Sequence, residues 1–153
     1  HAAEIEGQGK TEDDLAFQRN EHDFYNLLLI EQPNGNWGQT IVRQFLFDVF
    51  NYLYHHELCN SSDEQLAAVA AKSLKEISYH LKFSSEWMIR LGDGTEESHQ
   101  KMQDALDDLW MYTGELFQMD EVDEQMMTVG VFLYSITLKS TNKRISAIFQ
   151  LVT

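Results

Sequence analysis

Glu76 and His80 stand one helical turn apart in the stretch KSLKEISYHLKF, placing a carboxylate and an imidazole on neighbouring positions of one helix surface. Such a pair could contribute to an iron site. In carboxylate di-iron bundles, a Glu-x-x-His motif on each of two helices joins a lone Glu from each of the other two, all projecting inward. Here the spacing is i, i+4, and Tyr79 occupies the i+3 position. Placed at about 100° per residue, His80 falls within the apolar stripe of its helix and Glu76 at the border of that stripe. Geometry alone leaves a metal open. Asp48, on a polar stripe of the preceding helix, is the further ligand candidate, but it does not complete a set. The simpler reading is a histidine at the core edge, held by a hydrogen bond or an ion pair. No catalytic, cofactor-binding or metal-ligating residue is therefore assigned.

Other reactive residue types are equally isolated. His55 and His56 are adjacent, so they point about 100° apart on a helix and do not share a metal easily. His22 and His99 are read as lone histidines. Cys59, the single cysteine, sits at a helix end without the basic neighbours that activate a thiolate. No G-x-S-x-G, P-loop or G-x-G-x-x-G motif occurs.

The elements that carry these residues are helical. The chain has 153 residues with one proline, Pro33, and long stretches of helical periodicity, enough for one domain with a core. Thr11 is placed to cap a helix with Asp14 in its first turn, and that helix is expected to run through LAFQRNEHDFYNLLLIE to the turn QPNGN. Asn36 then caps a helix over 37–59. On it Gln44, Asp48, Asn51 and His55 form a narrow polar stripe, and nearly everything else except Arg43 is apolar. A helix so apolar must be buried on several sides, by its own bundle and by a further helix or chain.

The next helix is expected to be capped by Ser62 and ended by the GDG at 92–94. Its core stripe is read as Leu66, Val69, Ala70, Ser73, Leu74, Ile77, Leu81, Ser84, Trp87, Met88 and Leu91. Thr95 caps a third long helix that buries Met102, Ala105, Leu106, Leu109, Thr113 and Leu116. Phe47, Phe50 and Tyr54 crowd the far side of the 37–59 helix, and Tyr79 and Phe83 lie off the core stripe of theirs. Clustered outward aromatics suggest a protein interface, formed with a partner or in a homodimer.

Composition bounds the partners. The net charge is −14, which repels phosphate backbones and anionic lipid, so neither nucleic acid nor a membrane surface is expected. One cysteine suits a reducing cytoplasm, and no apolar run reaches the roughly 20 residues that span a bilayer. All 25 acidic residues lie at or before Glu124, and the remainder holds only Lys139, Lys143 and Arg144 as charged residues. The chain is thus divided into a helical domain over 1–124 and an atypical tail over 125–153. The VGVFLYSITL of that tail has strand-like composition.

The segments DLAFQRNEHDFYNLLLIEQPNGNWGQTIVRQFLFD and QLAAVAAKSLKEISYHLKFSSEWMIRLGDGTEESHQKMQDALDDLWMYTGELF resemble the C-component family of the phenylacetyl-CoA epoxidase (ring 1,2-monooxygenase) system. LLLIEQPNGNW and KEISYHLKFSSEWMIRLGDGT are the most specific pieces, and the likeness covers roughly residues 2–122. The resemblance implies an all-α, ferritin-like helical bundle, incomplete here, with an additional helix and an irregular or β-prone tail. A helical hairpin would precede His1 and further helices would follow the matched part. In that system a related A component carries the di-iron centre and binds the CoA thioester, while the C component is catalytically silent and pairs with it. A small bridging component, together with an NADPH-dependent reductase holding flavin and iron–sulfur centres, completes the system in aerobic phenylacetate breakdown. From about Met126 the likeness is expected to stop. Two alternatives remain open: a ferritin-like metal-binding enzyme in its own right, and a homo-oligomeric helical module.

Overall fold

The computed structural model describes residues 2–131. These residues hold seven α-helices and no strand: α1 (Ala2–Glu6), α2 (Glu12–Ala16), α3 (Leu28–Glu31), α4 (Trp37–Leu58), α5 (Glu64–Gly92), α6 (Glu96–Trp110) and α7 (Glu121–Thr128). Short 3-10 segments lie at Glu21–Asp23 and Met111–Phe117. No helix among the described residues is long and apolar enough to cross a membrane.

Three helices make the body, and each starts where its sequence supplies a cap. Asn36 accepts from the backbone N–H of Gln39 at the head of α4, and Thr95 accepts from Ser98 at the head of α6. The cap of α5 is Asp63, which accepts from Gln65 and Leu66, not the expected Ser62. A carboxylate is the better partner for a helix's positive end. Ser62 instead binds the end of α7: its hydroxyl donates to the carbonyl of Val129 at 3.3 Å, and its N–H to that of Gly130 at 3.1 Å. Between Glu31 and α4 the chain turns through Pro33, and Gly35 takes φ +57°, a left-handed conformation that suits glycine. Arg43, the odd charge on an apolar helix, reaches back to this turn and donates to the carbonyl of Gln32 and the side chain of Asn34.

α4 and α5 form an antiparallel hairpin, and α6 packs against both. Leu29, Ile41, Val42, Phe45, Leu46, Val49 and Leu53 are buried with Met88 of α5 and Met102, Ala105 and Leu109 of α6. Gly38 lets α4 approach α6 closely, since a Cβ there would lie 3.3 Å from both the carbonyl of Lys101 and the sulfur of Met102. The expected multi-sided burial of α4 is met within the chain, by α3, α5, α6 and the 3-10 segment beyond α6.

Three further expectations need correction. The helix foreseen from Thr11 to the QPNGN turn is broken after Ala16, and a 3-10 turn follows Asn20. Its periodicity had nothing to pack on: Phe17 and Tyr25 are exposed, and Asn20 pairs with Asp23 in a tight turn of its own. Val69, placed on the core stripe of α5, is 54 % exposed because the helix turns that edge away from α4. The third long helix stops at Trp110 and tightens into the 3-10 segment, though Thr113 and Leu116 are buried as read. The strand-like stretch from residue 132 onward lies outside the described residues.

Candidate functional site

A buried carboxylate marks the centre of the α4–α5 seam. Asp48 is 2 % exposed and lies on the polar stripe that ran Gln44, Asp48, Asn51, His55. Both its oxygens are taken. Gln44, one turn earlier on α4, donates from Nε2 to Oδ1 at 2.6 Å, and Ser84 of α5 donates from Oγ to Oδ2 at 2.7 Å. The Ser84 hydroxyl also lies 3.1 Å from the carbonyl of His80. Burial pushes the Asp48 carboxyl above the ordinary range, while the two hydrogen bonds and the nearby His80 hold it back.

Glu76 and His80 do not join this carboxylate. Both are exposed on α5, so the histidine read as lying in the apolar stripe is outside it. The physical reason is the width of the contact: α4 covers Ala70, Ile77, Ser84 and Met88, and His80 falls beyond that strip, where its ring meets Tyr79 edge-on at 5.9 Å. His55 bonds the carbonyl of Asn51 at 3.0 Å, and His56 sits 3.9 Å from Glu57. Cys59 is half-buried.

One spacing escaped the sequence reading. Glu96 and His99 have the Glu-x-x-His order of an iron-binding helix. They lie on the first turn of α6, exposed to solvent, and the His99 ring meets the carbonyl of Gly92 at 2.9 Å. Searching every histidine for a carboxylate three residues earlier would have found it. Among the described residues, no group of three or more His, Cys, Asp or Glu could hold a metal ion. The donor set of the described residues does not fit a di-iron centre: the buried carboxylate accepts from an amide and a hydroxyl, and the Glu76/His80 and Glu96/His99 pairs stand in water.

The five aromatics read as a partner interface divide into two groups. Phe47 and Phe50 pack against the core, and Phe50 also lies against Tyr54 at 5.7 Å and edge-on to Phe117 at 6.0 Å. Tyr54 is half-buried beside Asp123, and burial together with that carboxylate raises its phenol. Tyr79 and Phe83 are exposed, at 68 % and 38 %. Phe83 is one end of a surface aromatic row, lying 6.4 Å from Trp87, which meets Trp37 of α4 edge-on at 5.7 Å. The Arg90 guanidinium lies over the Trp87 ring at 5.0 Å.

A cleft of about 420 Å³ lies beside the first group, lined by residues that include Tyr25, Phe50, Tyr54, Glu115, Asp120 and Asp123. Its carboxylates have structural tasks. Glu115 accepts from the N–H of Leu28, and Asp120 and Asp123 form the capping box of α7.

Residues 1–146 match the family described as phenylacetic acid catabolic protein, so the likeness expected to stop at about Met126 runs on beyond it. The chain is 49 % identical over 140 residues to the C component of the 1,2-phenylacetyl-CoA epoxidase of Escherichia coli strain K12, covering 92 % of this chain and 56 % of that protein. The chain therefore spans little more than half the length of that relative. The fold is all-α and ferritin-like.

Proposed function

The chain belongs to the phenylacetic acid catabolic protein family, and from that premise we propose that it serves as a non-catalytic, structural subunit of a multicomponent di-iron phenylacetyl-CoA epoxidase. In this role it supports the catalytic di-iron A component during aerobic phenylacetate degradation, in the cytoplasm, with no cofactor of its own. Asp48 is the observation that carries the reading. A ferritin-like bundle with a working metal site directs several open carboxylates inward. Here the inward carboxylate bridges two helices, tied by Gln44 and Ser84, and acts as a structural strut.

What the chain offers a neighbour is surface. Trp37, Tyr79 and Phe83 are exposed aromatics on or beside the long α5 helix, a residue class enriched at protein interfaces. The test is co-expression with the catalytic di-iron component of such an epoxidase, followed by affinity capture and iron analysis. The expected result is a complex whose iron tracks the catalytic component, and a chain that is iron-free when purified alone. Stoichiometric iron in the isolated chain would make it a metalloprotein in its own right and overturn the proposal.

A further inference from the structure

We infer that the outward face of α5 is a docking strip for a helix of a different polypeptide, carrying a charge order that a second copy of this chain does not match. The strip is Lys72, Glu76, Tyr79, Phe83, Glu86 and Arg90, spaced alternately by four and three residues along one side of the helix. All six side chains lie on the surface, with Tyr79 and Phe83 at its middle. Such spacing draws them into one line along the helix surface, with apolar residues at its two middle positions.

The order is basic, acidic, aromatic, aromatic, acidic, basic, and it reads the same in both directions. That symmetry has a consequence for self-pairing. An antiparallel second copy with Tyr79 opposite Phe83 sets Glu76 against Glu86 and Lys72 against Arg90. A parallel copy in register sets every residue against itself. Sliding either arrangement by one heptad places the aromatics against charged groups. Like charges held together across an interface are strongly unfavourable and act against the wrong partner. Each copy also carries a net charge of −14, which adds a general repulsion.

A complementary helix presents acidic, basic, apolar, apolar, basic and acidic residues at the same spacing. The chemistry of the strip favours such a partner. Its two central aromatics supply apolar area, and Arg90 is held over the ring of Trp87, so little is lost in ordering it. The Lys82–Glu86 pair, 3.8 Å apart and exposed, is a weak surface contact that a partner's basic group can displace. α5 is also the locally basic part of an acidic body. It has Lys72, Lys75, Lys82 and Arg90 against Glu64, Glu76 and Glu86.

The inference rests on the proposed subunit role for the existence of a partner, whereas the charge order stands by itself. Two arms of one experiment separate them. In the first, the chain is mixed with the variant Lys72→Glu/Glu76→Lys/Glu86→Lys/Arg90→Glu, which has the complementary order and an unchanged net charge. Sedimentation is recorded for each alone and for the mixture. The expected result is association on mixing only, weakened by salt and lost on Tyr79→Ala/Phe83→Ala in either chain. A mixture that sediments as two independent species overturns the inference. So does self-association of the unmodified chain that Tyr79→Ala/Phe83→Ala abolishes, or association that appears only after residues 132–153 are removed. The last outcome would assign the strip to this chain's own segment.

In the second arm the catalytic di-iron component is titrated against the unmodified chain, Tyr79→Ala/Phe83→Ala and Lys72→Glu/Arg90→Glu. Each variant should bind at least about tenfold more weakly. Equal binding by all three overturns the strip and leaves the subunit role standing. No binding by any removes the subunit role, and the mixing arm then decides the strip. Circular dichroism and urea unfolding of each variant test whether the fold is intact.

Discussion

The hydroxyl of Ser84 on α5 donates to the carboxylate of Asp48 on α4 across 2.7 Å of buried space, tying the two helices of the hairpin together. Replacing Ser84 by Ala leaves a buried carboxylate oxygen without its donor. Stability should fall by about 1–3 kcal/mol, the cost of an unsatisfied buried acceptor. Urea unfolding at neutral pH measures it, and an unchanged midpoint would show that the carboxylate finds water instead.

The same carboxylate has a pH signature. Burial raises the Asp48 carboxyl above its value in the unfolded chain, so between the two values the folded protein holds the extra proton. This group's contribution to stability is therefore fully present below the unfolded value and is lost as pH rises through the folded value. Asp48→Asn removes that dependence. Its stability relative to the parent chain should increase from acidic toward neutral pH, as read from urea midpoints taken at several pH values. A difference that stays flat or runs the other way would mean that Asp48 is better stabilised as an anion than its burial implies.

Arg43 ties the turn after α3 to α4 through donation to Gln32 and Asn34. Lysine keeps the charge but not the planar fork, so Arg43→Lys should not rescue what Arg43→Ala loses. Each should cost about 1 kcal/mol. Amide exchange should quicken at 34–36, where the turn leads into the cap of α4.

Core and strip should differ sharply in their response to truncation. Phe45 is 1 % exposed, and Phe45→Ala should cost about 3–5 kcal/mol through lost burial and a cavity. Tyr79→Ala/Phe83→Ala should cost no more than about 1 kcal/mol, because surface positions contribute little to folding. Thermal unfolding of the two variants side by side makes the comparison. A double variant as damaging as Phe45→Ala would place Tyr79 and Phe83 in the folding core.

The helix caps are separable contributions. Thr95 accepts from Ser98 at the head of α6, and Thr95→Ala should lower stability by about 0.5–2 kcal/mol. Thr95→Ser keeps the oxygen and should restore most of the loss, which the unfolding midpoint reports.

By itself the sequence determined the helical periodicity of α4, α5 and α6, the caps Asn36 and Thr95, and the stop at Gly92. These depend on residues within one or two turns of each other, so local pattern suffices. It also carried the family, through stretches such as LLLIEQPNGNW. Only the tertiary structure decided which apolar residues were covered. Val69 and His80 lie on the edge of a stripe whose width is set by how closely α4 approaches, and that distance depends on the side chains between the helices. Phe50 and Tyr79 look alike as outward aromatics on their own helices, yet Phe50 meets Phe117 from a distant segment of the chain, and Tyr79 meets solvent. The polar stripe of α4 could be read at once. That Asp48 closes on Ser84, leaving Glu76 and His80 outside, could not, because it depends on the rotation of α5 about its own axis when the two helices pack.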